Sequence, residues 1–525
     1  MTSLLNDSTR RLVPRWRYMA SLAPAETVAD RTRSLRPTSS EVFWEAKRRD
    51  WMEDRRLETA AELLVCAVAL NRLPAVPEVV AYLHERRDDL VSGMRELVAY
   101  ARRRVGGADE AGPTPVEQGI ADVSVVVEAK SVVAYSRRRL GDTPRDALAW
   151  MDMALAYTTL GQSIQAERAM DRALLLAPNH RLVVRAACRR LLHAGHASEA
   201  HRLLLRHSRT RRDPWFLAAE IAIAQVLEET PRLVREGRQI LASGHFSPAA
   251  ITELAGALGM LEYASGATKQ ARRLFHLSMQ APSDNAVAQA RWIAARTGGI
   301  EISEKAWSTP RAFEAWCWRA FQARDWVNSL AFAQEWVRDE PFSSRAAVQA
   351  TFMATTVVED YDYAIRCGRD VLRADSRDAM LRNNLIVALA YSGRIQEAQR
   401  EAALLPSKSD PGRDCVFLAT RGLVEFRSGH VEAGRALYRR AYDCASAELR
   451  LRVVVHWLNE ELQLAGHGSE PVLEKAVRVA GAQRDYVALR VLERATTKYL
   501  SSTREGHGLS KSVTDVSLLL QNNDE

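Results

Sequence analysis

The sequence predicts an all-α chain: an α-solenoid of stacked antiparallel helix pairs, preceded by a small helical N-terminal domain. Three observations carry this. One segment sets small and large apolar residues at helical spacing around a central glycine. That segment returns about 34 residues later. The chain is too long, at 525 residues, for one ordinary core, and at 47% apolar and 26% charged residues it is too apolar for disorder.

The segment is "WMDMALAYTTLGQSIQAERAMDRALLLAP", Trp150 to Pro178. Counting from Ala147 as position 1 puts Trp150 at 4, Ala154 at 8, Tyr157 at 11, Gly161 at 15, Ala166 at 20, Ala173 at 27 and Pro178 at 32. Two amphipathic helices fit this spacing, broken at Gly161. Helices packed so closely need small residues where their axes cross and large ones in the grooves beside them. Gly195 and Ala200 then repeat Gly161 and Ala166 in "RRLLHAGHASEAHRLLL". The stretch "DPWFLAAEIAIAQVLEETPRLVREGRQILASG" keeps two helices without the signature, and "LAGALGMLEYASGATKQARRLFHLSMQAP" restores it with Gly259, Gly266, Ala271 and Phe275. Further copies end on Pro341, then carry Asn384-Leu385 with Gly393, and last Gly422, Gly429, Tyr438 and Ala441.

This pattern resembles the tetratricopeptide repeat, which has Trp, Leu-Gly, Tyr, Ala, Phe, Ala and Pro at these places. The resemblance spans roughly residues 147 to 445, and helices with little signature continue to Leu500. It implies a superhelix whose first helices line a concave groove, where an extended peptide or a helix of a protein partner docks. By the family pattern, the groove-facing positions hold Arg185, Arg189, Trp318, Phe321, Gln322, Asn383, Asn384, Phe426 and Arg427. Asn384 stands where some family members bind peptide backbone, since a side-chain amide both donates and accepts. Neither a ladder of such asparagines nor the lysine and asparagine set that clamps a C-terminal carboxylate is present. Five of the twelve tryptophans (Trp307, Trp316, Trp318, Trp326 and Trp336) fall within thirty residues. Trp316 and Trp336 take core positions, whereas Trp318 takes a groove position as an exposed aromatic anchor.

The domain reading runs as follows: residues 1–37 basic and partly disordered; 38–105 a helical domain, with one long helix over "EVFWEAKRRDWMEDRRLETAAELLVCAVALNR"; 106–115 ("GGADEAGPTP") a linker; 116–294 a first repeat block; 295–309 an irregular connector; 310–500 a second block; 501–525 a flexible tail. No apolar run approaches the roughly 20 residues that cross a bilayer. The first residues lack the apolar core of a signal peptide. Six cysteines (Cys66, Cys188, Cys317, Cys367, Cys415 and Cys444) show no paired spacing, which argues for a reducing, cytoplasmic setting and against a zinc site.

The net charge is +8, and only eight of the 73 basic residues are lysine. Arginine forms bidentate contacts with phosphate, so nucleic-acid binding is the alternative to a protein partner. The clusters Arg102–Arg104, Arg137–Arg139 and Arg206–Asp213 each fall near a predicted helix end, where cations suit the dipole. No aromatic residues interleave with them as a single-strand-binding groove requires.

Catalytic motifs are few. "VSVVVEAK" (Val123–Lys130) resembles the metal-binding strand of PD-(D/E)XK nucleases, with Glu128, Lys130 and a further acid at Asp109 or Asp122. The expectation is instead a helix through Glu128, because no strands flank it. His193, His196 and His201 lie around a turn with no acidic or cysteine partner at ligand spacing, and read as exposed turn residues. The expectation is therefore a non-enzymatic protein-interaction scaffold or adaptor, with no cofactor, metal or catalytic set. A third reading makes residues 1 to 105 a small effector regulated by the repeats.

Overall fold

The computed structural model describes residues 11–18, 40–70, 72–90, 92–105, 124–297, 300–407, 411–464, 469–480 and 485–502. Among these residues the secondary structure is helical, without a strand. The linker, Asp109, Asp122 and the tail beyond 502 lie outside them. The chain divides into two units, the first of which holds residues 10–123 and 127–315, and the second residues 316–525 together with 1–9 and 124–126.

The first unit contains the N-terminal helices Ser40–Glu53, Leu57–Ala69, Pro77–Glu85 and Ser92–Val105. They close on a core of Trp44, Trp51, Leu63, Leu64, Val80, Leu83 and Leu97. The single long helix expected here is two. The chain breaks at Asp54–Arg56, where the Thr59 hydroxyl accepts from the Arg56 backbone N–H at 3.2 Å and donates to the Asp54 carbonyl at 2.5 Å. That local bonding offers the backbone an alternative to the helix. Glu128 lies on the helix Val125–Asp142, as the sequence led one to expect.

Helix pairs follow in the expected register: Ala147–Thr159 with Ser163–Leu176, Arg181–His193 with Ala197–Arg206, Pro214–Val226 with Val234–Ser243, and Pro248–Ala264 with Thr268–Ser278. Asp284–Thr297 is followed only by the short helix Glu304–Trp307, which Ser303 caps through the Ala306 N–H. The second unit repeats the scheme with Trp326–Asp339, Ser344–Phe352, Tyr361–Ala374, Ala379–Tyr391, Ile395–Ala402, Pro411–Arg427, Val431–Cys444, Ala447–Gln463, Ser469–Ala480 and Tyr486–Ser502; the helix Phe313–Gln322 spans the boundary.

Two kinds of glycine explain the signature. Gly161 turns the chain between helices at φ 72°, a left-handed conformation in which side chains are strained. Gly434 instead allows close approach. A Cβ there would stand 2.5 Å from the Phe426 ring and 3.0 Å from the Gly422 carbonyl oxygen, so two helix axes meet on a glycine pair.

Candidate functional site

In the second unit, first helices of successive pairs stand side by side and leave an opening continuous with solvent. Its walls come from Ser344–Phe352 and the turn after it, from Ala379–Tyr391, Pro411–Arg427 and Ala447–Gln463. Most of the lining is apolar, including Phe352, Val387, Val416, Leu423 and Val453, with a few polar groups among it. Such mixed lining is the usual make-up of a ligand pocket.

The turn is a wide, π-type one over Met353–Val358, closed by the Asp360 N–H donating to the Ala354 carbonyl at 2.9 Å and stopped by Glu359 at φ 66°. Widening frees carbonyls, and the Arg494 guanidinium satisfies two of them, Thr356 at 3.0 Å and Val357 at 3.3 Å. Glu359 in turn pairs with Arg494 at 3.1 Å. The bulge carries Thr355 to the opening, where its hydroxyl oxygen is buried without a hydrogen-bond partner among the described residues.

Asn383 and Asn384 both line the opening, but only one is uncommitted. The Asn384 amide donates to the Val348 carbonyl at 3.0 Å and the Thr351 hydroxyl at 3.1 Å, tying its helix to the preceding pair. Asn383 is 4% exposed, and its Oδ1 has no partner among the described residues. A buried acceptor left unpaired costs about 1–3 kcal/mol, which a donor from a ligand would recover.

His456 and Arg452 complete the polar set. His456 Nδ1 lies 2.9 Å from the Tyr391 hydroxyl. Burial, followed by the charges of Arg494 and Arg452, lowers its pKa to about 4. The ring is therefore neutral near pH 7 and shares one hydrogen bond with the Tyr391 hydroxyl through Nδ1. Arg452 pairs with Asp485 at 2.5 Å and lies over the Phe352 ring at 5.6 Å.

The other expected groove residues of this unit fall elsewhere. Trp318, expected as an exposed anchor, is 4% exposed and edge-on to Phe321 at 5.5 Å. Phe321 is buried as well and also meets the half-buried Trp326, so Trp318 and Phe321 are closed off from solvent. Trp316, expected in the core, is the half-buried one, tilted against Phe332. Gln322 is exposed. Phe426 is buried against Tyr438. Arg427 is held by Glu460 at 2.6 Å, with the Tyr391 ring 5.5 Å away.

In the first unit, the inner helix faces meet a part of the chain that was expected to be partly disordered. Residues 11–18 run extended, with Leu12, Pro14, Trp16 and Tyr18 buried and the residues between them half-buried. Asn285 donates its amide to the Val13 carbonyl at 3.0 Å. The same amide lies 3.3 Å from Glu253, whose carboxylate Arg185 also holds at 2.6 Å. Arg185 is buried, engaged to Glu253 and stacked 4.6 Å over Trp215. Arg189 lies half-buried on the same helix. Of the turn histidines, His196 is exposed but His201 is not: it is 4% exposed and 3.0 Å from Glu220, because Glu220 comes from the next pair and was invisible to local spacing.

The fold is an all-α, tetratricopeptide-like stack of helix pairs. The chain is similar to the human IFIT1 dimer with PPP-AAAA, at 12% identity over 82% of this chain and 94% of that one, with a TM-score of 0.29. It is similar to Cut9 of the APC/C Cut9–Hcn1 hetero-tetramer, at 12% identity, 92% of each chain and a TM-score of 0.35. It is also similar to yeast Tom70, at 12% identity, 90% of this chain, 99% of that one and a TM-score of 0.29. Scores this low carry no argument about function, and the repeat architecture rests on the helix pairs themselves. No protein-family model and no curated sequence matches the chain.

Asn285, Asp284 and Glu253 in the first unit, and Thr355, Arg452 and His456 in the second, escaped the sequence reading. Position within the repeat would have pointed to Glu253 and Asn285, which stand on first helices. Thr355 could not have been found, since nothing in "FMATTVVED" marks a π turn.

Proposed function

We propose that the chain is a non-enzymatic interaction scaffold or adaptor, working in the cytoplasm, that takes a peptide of a protein partner in the opening of its second unit. The observation that carries this is Asn383: a buried amide with an unpaired acceptor, set among apolar walls on the inner face of stacked helices. An extended peptide offers backbone N–H groups at every residue and apolar side chains at alternate ones, which is what this lining lacks and fits. Arg452 adds donors for an acidic or carbonyl group on the same peptide, and the neutral His456 ring a further polar group. Among the described residues no helix is long and apolar enough to cross a membrane, and nothing in the reading calls for a cofactor.

The test is peptide selection from a random displayed library on the full chain, followed by affinities for the Asn383→Leu variant. Leucine keeps the volume and removes the acceptor. Selected peptides should bind the variant at least tenfold more weakly, about 1.4 kcal/mol, while its melting temperature holds or rises. Equal affinity for both chains would sink the reading.

A further inference from the structure

The first unit carries a second surface, and part of the chain lies on it. Residues 11–18 read "RLVPRWRY", and buried and half-buried side chains alternate along them with the period of an extended chain. Three first helices meet it, the third being Phe313–Gln322 through Glu314. Leu12 sits over Gly256 of Pro248–Ala264, where a Cβ would come within 2.8 Å of its methyl group. Val13 offers its carbonyl to Asn285 of Asp284–Thr297 at 3.0 Å. Charge fixes the register. Arg17 pairs with Asp284 at 2.5 Å, and Arg15 reaches Asp284 at 3.2 Å and Glu314 at 2.5 Å.

This is the manner in which a repeat stack would hold a foreign strand: amide to backbone, small residues under apolar side chains, carboxylates under arginines. Residues 19–39 ("MASLAPAETVADRTRSLRPTS") connect the segment to the helix Ser40–Glu53. Such a length of chain spans up to about 70 Å, and a tether of that kind gives its end an effective concentration near the millimolar range. The geometry therefore describes a bound ligand that happens to be covalently attached.

We propose that the inner face of the first unit is a peptide-binding surface in its own right. Residues 11–18 are its built-in occupant. The external partner is an extended protein segment of the same chemistry, with apolar side chains at alternate positions and two arginines set between them, and it gains the surface by displacing residues 11–18. The proposal is independent of the reading given for the second unit, since it uses different residues and a different ligand charge.

The probe is a fluorescein-labelled peptide of sequence RRLVPRWRYM, titrated by anisotropy into the full chain. The intact chain should take it up weakly, its surface being filled. The double variant Arg15→Glu with Arg17→Glu turns the built-in segment against Asp284 and Glu314, so labelled peptide should bind at least tenfold tighter. Adding Asp284→Arg to that variant should remove the gain. A second measurement uses a protease site inserted between residues 20 and 38: after cleavage the chain should keep its helical circular dichroism and exchange its segment for labelled peptide. No gain in the double variant, or unfolding of the cut chain once the segment leaves, overturns the proposal and makes residues 11–18 a structural strut. Dimers linked by exchanged segments that exclude the peptide also overturn it, and would name a second copy as the occupant.

Discussion

Trp318 shows what a single residue's place in a repeat can and cannot say. Its position predicts exposure, but the position rule assumes that neighbouring helices leave the inner face open, and here Phe321 packs edge-on against it and is itself backed by Trp326. At 4% exposure its replacement by alanine removes a core side chain. Trp318→Ala should therefore destabilise the second unit by about 3–5 kcal/mol in urea or thermal denaturation. A loss under about 1 kcal/mol would mean that the ring is dispensable packing. Asn383 and Asn384 make the complementary case. Both line the opening, yet only contacts from the preceding pair decide which one has a spare acceptor. Asn384 is occupied by Val348 and Thr351, 36 and 33 residues away in sequence, beyond any local pattern. Burial class follows from period; commitment follows from partners, and partners are set by stacking.

At the scale of elements, the glycine turn was the strongest signal and the structure explains its gaps. Gly161, Gly195, Gly266, Gly393 and Gly429 all adopt positive φ between paired helices. In the pairs where the signature fades, the same turn is made by Glu228 at φ 57° and Arg324 at φ 59°. The turn geometry is therefore kept after the residue suited to it is lost, which is why those units were readable as helices but not as repeats. A left-handed non-glycine residue costs about 1–2 kcal/mol. Glu228 is exposed, so Glu228→Gly should raise stability by up to about 1 kcal/mol, the backbone freedom of glycine offsetting part of the gain. Gly161→Ala should lower it by about as much. Urea midpoints for the two variants settle both, and a shift of the same sign in each would contradict the argument. The extended segment was missed for a different reason. Its alternation of Leu12, Pro14, Trp16 and Tyr18 was present in the sequence, but eight residues without a partner strand read as composition rather than structure. What holds them is three helices that arrive more than 200 residues later.

Across the whole molecule the basic excess of +8 becomes less available than the sequence implies. Each arginine cluster lies at a helix end and gives at least one arm to a neighbour: Arg102 to His84 at 2.5 Å, Arg139 to Asp146 at 2.6 Å, Arg211 to Glu236 at 2.7 Å. The molecule should also respond to pH, and both units lose stability in acid but over different ranges. In the second, burial and then Arg494 and Arg452 hold His456 at about 4, with Asp485 opposing them, whereas an unfolded histidine titrates near 6.5. Below about pH 6.5 the unfolded chain binds a proton that the folded ring refuses, so stability is full above that pH and falls as pH drops toward 4, by at most about 3 kcal/mol. In the first, burial would raise Asp284, yet Arg17 and Arg15 bring it to about 2. Its pairs therefore stabilise the segment at every pH above the ordinary carboxylate value of 3.8 and are lost only as pH approaches 2. At pH 5, hydrogen exchange corrected for intrinsic rate should show the helix Ala447–Gln463 less protected than at pH 7.5, while Asp284–Thr297 is unchanged. His456→Gln keeps an acceptor for the Tyr391 hydroxyl and has no proton to refuse, so in that variant the protection of Ala447–Gln463 should stay level between the two pH values. An equal loss in the variant would move the acid sensitivity from His456 to some other group.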